Sequence, residues 1–229
     1  MSLPLNAPLI IAGMHRSGTS LAASLAAAAG VGVGERLLAA DHANPRGYFE
    51  DAGFLSLQQR MLTESTPPDD GGHRDWGWTE SERLDRTRFP LYREEALALI
   101  EAQRRPGRWG WKDPRTTLAL DFWDGLAADA RYLFVYRYPW DVADSMQRLG
   151  AEVFLRHPEY AHRIWAFYNR QLLDFCRRHR ERSLLVSVNA LMRDPDRFRS
   201  LLAERLGLEL GGERTREILE AGLLRTTGG

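Results

Sequence analysis

Residues 13 to 20 read Gly13-Met14-His15-Arg16-Ser17-Gly18-Thr19-Ser20. They match the phosphate-binding pattern G-x-x-x-x-G-K-[ST] at every fixed position but one, the lysine, where Thr19 stands. In a nucleoside-triphosphate site that lysine bridges the β- and γ-phosphates. A loop that keeps the anion cradle and drops the lysine suits a different ligand with a phosphate-like head. A short apolar run, residues 8–12, precedes the loop, and an Ala-rich helix former, residues 21–29, follows it. This order of strand, glycine loop and helix start aims backbone N–H groups and a positive dipole end at an anion.

A second anion site is written into Tyr136-Arg137-Tyr138-Pro139-Trp140-Asp141-Val142-Ala143-Asp144-Ser145. Arg137 stands where a strand ends, and Ser145 lies two turns into the next helix. Together they can close on an anionic group, the arginine by charge-assisted hydrogen bonds and the serine by its hydroxyl. Asp141 and Asp144 are expected to cap that helix or face solvent. A nucleoside-triphosphatase carries an aspartate at the end of such a strand to organise Mg²⁺. Arg137 occupies that place, so an anion site without metal is expected.

These residues resemble the sulfotransferases that use 3′-phosphoadenosine 5′-phosphosulfate. His15-Arg16-Ser17-Gly18-Thr19-Ser20 looks like their 5′-phosphosulfate loop, and Arg137 with Ser145 looks like their pair for the 3′-phosphate. Asn44-Pro45-Arg46-Gly47-Tyr48-Phe49-Glu50 and Trp111-Lys112-Asp113-Pro114-Arg115 are similar to stretches of bacterial members. Val188-Asn189-Ala190-Leu191 with Asp194-Pro195 resembles the segment before their C-terminal helix. The Gly-x-x-Gly-x-x-Lys signature of the animal cytosolic enzymes is absent, so their adenosine contacts are not carried over. The resemblance implies the phosphosulfate donor, 3′,5′-adenosine bisphosphate as product, and donor contacts from Arg16, Ser17, Gly18, Thr19, Ser20, Arg137 and Ser145.

Sulfuryl transfer is an in-line displacement at sulfur by an acceptor hydroxyl or amine. It needs a cradle, positive charge at the bridging oxygen, and a base for the acceptor proton. Lys112 is the candidate for the charge. It is the only lysine among 31 basic residues, which suggests that a compact ammonium is needed where a planar fork would not serve. A lysine snorkelling at the surface is the alternative. For the base, Glu50 and Glu35 head a shortlist on which Asp113, His15 and His42 stand lower. Glu35 also reads as a solvated loop residue, and Asp113 reads as a helix N-cap. Two other functions stay open: a P-loop kinase using Mg-ATP with Arg16 in place of the lysine, and a non-catalytic nucleotide-binding module. The acceptor is a small molecule or carbohydrate, with sugar, phenol, lipid and natural-product scaffold all open.

These groups need a scaffold. Strands are expected at 8–12, 108–112, 131–137 and 183–188, all apolar and β-branched or aromatic as buried parallel strands are. Helices are expected at about 51–64, 81–103, 114–127, 139–149, 158–180 and 195–206, four of them opening on proline. The alternation predicts an α/β fold, a single domain over residues 1–229 with a central parallel sheet flanked by helices; the resemblance implies that this is the P-loop NTPase-like sulfotransferase architecture. Residues 65–72 read as a mobile loop near the site or a plain linker. Trp76, Trp78, Trp109 or Trp111 could line an acceptor pocket, with at least half of them core. Residues 177–182 read as a solvated basic face, and the Thr226-Thr227-Gly228-Gly229 end as a frayed tail.

The chain has 229 residues, 44% of them hydrophobic, and no net formal charge. That balance argues against non-specific binding to nucleic acid or membrane. One cysteine, Cys176, excludes an internal disulfide. No charged leader precedes the first strand and the longest apolar stretch is too short to span a bilayer, so a cytoplasmic location is expected.

Overall fold

The computed structural model of the chain describes residues 7–41 and 47–220; His42, residues 44–46 and the C-terminal tail lie outside the described residues. In chain order the elements are β1 (Pro8–Ala12), α1 (Thr19–Ala28), α2 (Ala52–Glu64), β2 (Gly72–His73), β3 (Trp78–Thr79), α3 (Arg93–Gln103), β4 (Trp109–Lys112), α4 (Leu120–Asp124), β5 (Arg131–Tyr136), α5 (Pro139–Leu149), α6 (Glu152–Arg156), α7 (Glu159–Arg178), β6 (Ser183–Ser187), α8 (Val188–Arg193), α9 (Pro195–Leu206) and α10 (Gly212–Glu220). Four strands form a parallel sheet in the order β4-β1-β5-β6, and β2 with β3 makes a small antiparallel hairpin.

The strands are apolar on both sides because both faces are covered. Alternate residues Ile10, Trp109, Trp111, Tyr132 and Phe134 enter one core with α2, α3 and α7. Their neighbours Leu9, Ile11, Leu133, Val135, Leu184 and Val186 enter a second core with α1, α9 and α10. This is the two-period of a strand expressed as two hydrophobic layers. Trp78, Trp109 and Trp111 are buried in the first core, which removes them from any acceptor pocket. Among the described residues no helix is long and apolar enough to cross a membrane.

Register places the chemistry. β1 is central, with Ile11 beside Lys112 of β4 and Ala12 beside Phe134 of β5. The loop after β1, Lys112 at the end of β4 and Arg137 just past β5 therefore meet at the carboxyl edge, where ligands of open α/β sheets bind.

Two expected helices are broken for local reasons. Residues 81–103 form a 3₁₀ segment, Arg86–Tyr92, before α3. Pro90 there lacks an N–H and would clash with the carbonyl four residues back. Residues 114–127 form a 3₁₀ segment, Pro114–Leu118, and then the short α4. The hydroxyls of Thr116 and Thr117 are committed elsewhere, to Gln58 and to the Gly13 amide. Residues 65–72 are tied down at their start rather than loose: Ser65 and Thr66 are buried, and Arg74 donates to Thr63 O and Thr66 O. The basic face at 177–182 is partly paired, Arg178 with Asp121 and Arg182 with Asp124.

Gly110 is where β4 lies against β1: a Cβ there would sit 1.9 Å from Leu9 O. Gly110→Ala should destabilise the fold by about 3 kcal/mol through backbone displacement. In thermal unfolding that lowers Tm by roughly 6 to 12 °C. Gly125→Ala is the control, with a helical φ of −67° and its nearest neighbour at 3.5 Å, and should leave Tm nearly unchanged.

Candidate functional site

The loop between β1 and α1 is held by its glycines. A Cβ on Gly13, at φ 152°, would meet Val135 O at 2.1 Å, so only glycine lets the end of β1 lie against β5. The Ser17 amide donates to Met14 O at 3.2 Å and closes the turn. Arg16 and Gly18 follow in left-handed conformations, φ 64° and 86°. For a non-glycine residue such as Arg16 this is strain that the surroundings must hold. Gly18 caps α1 without a side chain, and no acidic residue stands in the first helical turn. The Ser17 hydroxyl is fully buried and has no hydrogen-bond partner among the described residues. An uncapped helix start beside an orphaned hydroxyl is a donor-rich cradle, and its chemistry fits an anion.

Lys112 borders this cradle and is 2% exposed, so it is no surface lysine. Its Nζ donates to Glu50 Oε1 at 2.5 Å, to Tyr48 O at 2.9 Å and to Ser20 Oγ at 3.3 Å. Ser20 itself donates to Tyr48 O at 3.2 Å. Glu50 is brought here by backbone pairing of its segment with residues 36–38: Leu38 N donates to Glu50 O, and Ala52 N to Arg36 O. Asp51 caps α2 through Gly53 N and accepts the amides of Glu35 and Arg36 on its other oxygen. Phe49, immediately before Glu50, has φ 56°, a second strained residue at the site.

Arg115 adds a second cation, with Nη1 3.8 Å from Glu50 Oε2 and 3.4 Å from Asp113 Oδ1. Asp113 caps the following turn by accepting Arg115 N at 2.8 Å, as its N-cap reading requires. Burial pushes its carboxyl up to about 6, against the pull of Arg115. Asp113 is thus an acid at the end of the strand flanking β1, one that the reading of Arg137 in a metal aspartate's place did not count. It stands between Lys112 and Arg115, whose charges repel a dication.

Arg137 and Ser145 both converge on Arg16. Arg16 Nε donates to Ser145 Oγ at 3.0 Å, and Arg137 Nη1 donates to Arg16 O at 3.3 Å. Arg137 is 1% exposed, and burial lowers its pKa. Asp141 is also buried, contrary to the expected cap or solvent role. Its Oδ2 lies 3.9 Å from Arg137 Nε and accepts Asn189 Nδ2 at 2.6 Å. An aspartate four residues after a strand-end arginine is within reach of it on the first turn, and here it balances the arginine's charge.

Glu35 is exposed, and its carboxylate makes no hydrogen bond or ion pair among the described residues. Only its amide takes part, on Asp51. The solvated-loop reading of Glu35 is the one the structure favours. The sequence reasoning missed Arg115 as a charge partner of Glu50, and missed the hairpin residues His73 and Asp75. The signal was His-x-Asp directly before Trp76 in the loop-like segment. Trp76 stacks on His15 of the phosphate loop with ring centroids 3.8 Å apart, and on His73 at 4.3 Å.

The sequence matches the model of the sulfotransferase family over residues 8–211. The fold is similar to the sulfotransferase domain from the curacin biosynthetic pathway, at 18% identity and TM-score 0.58 over 100% of this chain and 82% of that one. It is also similar to sulfotransferase STF1 from Mycobacterium tuberculosis H37Rv, at 15% identity and TM-score 0.54 over 96% and 72%. A sulfotransferase from Alicyclobacillus acidocaldarius matches at 17% identity and TM-score 0.52 over 94% and 90%. At these identities the structural likeness is one of fold. No curated protein matches the sequence.

His15 gives the site a pH signature. Burial first, then the charges of Arg115 and Lys112, hold its pKa well below 6.5. The folded state keeps it neutral while the unfolded chain takes a proton below 6.5, so its contribution to stability is lost as pH falls. Asp113 works the other way, its folded form keeping a proton up to about 6. Comparison of the wild type with His15→Gln isolates the histidine. Below its unfolded pKa the wild type should lose up to about 1.4 kcal/mol per pH unit relative to the variant. Parallel Tm-against-pH curves for the two proteins would contradict a buried neutral His15.

Proposed function

The chain belongs to the sulfotransferase family, and from that premise we propose that it transfers a sulfuryl group from 3′-phosphoadenosine 5′-phosphosulfate to a hydroxyl or amine of a small-molecule or carbohydrate acceptor. The observation that carries this reading is the donor-rich cradle, with its orphaned Ser17 hydroxyl and uncapped helix start, bordered by a buried lysine. When bound, the phosphosulfate supplies the activated S–O bond whose cleavage drives transfer.

The first turn of α1, with Ser17, Gly18, Thr19 and Ser20, would hold its 5′ end. Arg137 and Ser145 would hold the 3′-phosphate, with Arg16 joining the two sites through its bonds to both. Lys112 presents its ammonium beside Ser20, at the edge of the cradle, and would there stabilise negative charge developing on the leaving oxygen. Three oxygen acceptors fix where that charge sits, so it is positioned before any ligand arrives. Glu50 serves chiefly as the partner of Lys112, since its oxygens face Lys112 and Arg115.

Thermal unfolding with 3′,5′-adenosine bisphosphate, without metal, tests the donor site. At about a hundred times its dissociation constant the ligand should add roughly 2.7 kcal/mol. Stabilisation by Mg-ATP alone would contradict the reading and return Arg16 as the substitute for a triphosphate-site lysine. Lys112→Ala should keep bisphosphate affinity and lose roughly 3 kcal/mol of transition-state stabilisation, about a hundredfold in transfer rate. Arg137→Ala should instead weaken the bisphosphate itself, read as a smaller Tm shift at the same concentration.

A further inference from the structure

We propose that His73, oriented by Asp75, is the general base that takes the proton of the acceptor's hydroxyl or amine; this rests on the sulfotransferase reading above. His73 Nδ1 is hydrogen-bonded to Asp75 Oδ1. An ionised carboxylate only accepts, so Nδ1 supplies the proton, and in the neutral imidazole Nε2 is then the nitrogen with the lone pair. Partial burial raises the Asp75 carboxyl, but the hydrogen bond from His73 and the charges of His73 and Arg115 outweigh it and hold the group at about 2. Asp75 is anchored in turn. Arg115 Nη2 lies 3.3 Å from its Oδ2, Arg115 Nε donates to its backbone carbonyl at 2.9 Å, and Gln59 Nε2 donates at 3.4 Å. A base oriented by a carboxylate that is itself held is the arrangement general-base catalysis needs.

Position supports the role. The His73 ring stacks on Trp76, which also stacks on His15 of the phosphate loop, and Phe154 of α6 packs against both His73 and Trp76. The His73 side chain is 25% exposed, open to an incoming acceptor. Arg115 links the dyad to Glu50 and so to Lys112, which puts the base and the leaving-group cation in one charge network. The charged or titratable groups facing His73 are Asp75 from its own hairpin, Arg115 beyond it and His15 across Trp76.

The competing groups are worse placed. Glu50 faces two cations, Asp113 is fully buried with one oxygen committed to its cap, and burial together with the charges of Arg115 and Lys112 disfavours a second proton on His15. In the step, the acceptor's O–H or N–H bond breaks and its oxygen or nitrogen bonds sulfur. The bridging S–O bond breaks with its electron pair leaving on the bisphosphate. The proton ends on His73 Nε2, and the imidazolium charge faces Asp75.

Transfer to water, read as inorganic sulfate released from the phosphosulfate donor, tests this without an identified acceptor. His73→Gln, with His73→Asn as a second variant, should lower release about a hundredfold while bisphosphate affinity stays at the wild-type value. Asp75→Asn should move the acid-side inflection of the pH–rate profile to lower pH, which a merely structural aspartate would not do. Nitrogen-15 imidazole spectra of the resting protein should show the neutral form of His73 as the tautomer protonated at Nδ1 and bare at Nε2. Unchanged release in both His73 variants, or a neutral form protonated at Nε2 instead of Nδ1, overturns the assignment. Failure of the wild type to bind the bisphosphate would instead overturn the sulfotransferase reading.

Discussion

The buried pair of Lys112 and Glu50 is the contact on which the rest of the site depends. Taking both charges out of water carries a penalty of several kcal/mol per ion, recovered only where geometry is close and the remaining hydrogen-bonding groups are satisfied. The structure meets that condition with Tyr48 O and Ser20 Oγ on the lysine and Arg115 on the carboxylate. Meeting it joins three segments distant in sequence: the end of β4, the first turn of α1, and residues 48–51. The last of these is in turn locked by Asp51 to residues 35–36. The anion cradle has one wall because a buried lysine needed acceptors.

The sheet supplies what the pair cannot. Parallel register brings the ends of β4, β1 and β5 to one level, so a cation on each flank of the loop follows from topology. Backbone strain is concentrated there. Arg16 and Phe49 are two of three non-glycine residues at positive φ among the described residues, and each adjoins a charged contact of the site. Such conformations persist only where the surroundings over-determine them. Here Arg16 is held by Ser145 and Arg137, and Phe49 is flanked by Tyr48 and Glu50, both bonded to Lys112.

The order of strands and the loop were readable because they are local: apolar runs of strand length, glycines at fixed offsets, prolines at helix starts. That Arg137 and Ser145 come to one place, each bonded to Arg16, was readable as a spacing. Harder to read was everything set by contacts across the chain. That Glu50 would bond Lys112, 62 positions away, is decided by register and by pairing with residues 36–38. Asp141 was expected to cap its helix or face solvent because it stands in the first turn, yet it is buried and bonded to Asn189 of α8. The 3₁₀ segments at Arg86–Tyr92 and Pro114–Leu118 follow from Pro90 and from threonine hydroxyls with distant partners. The hairpin carrying His73 is only two residues per strand, too short for a periodicity signal.

A double-mutant cycle on Lys112 and Glu50 tests the central claim most directly, using Lys112→Met, Glu50→Leu and the combination, each read for stability and for sulfuryl transfer. Each single change leaves one buried charge without its partner and should lose roughly 3–5 kcal/mol of stability, while the double variant returns close to wild type. Transfer should stay about a hundredfold below wild type in the double variant, because the stable fold then lacks its cation. Additive stability losses, or transfer restored without Lys112, would contradict the account.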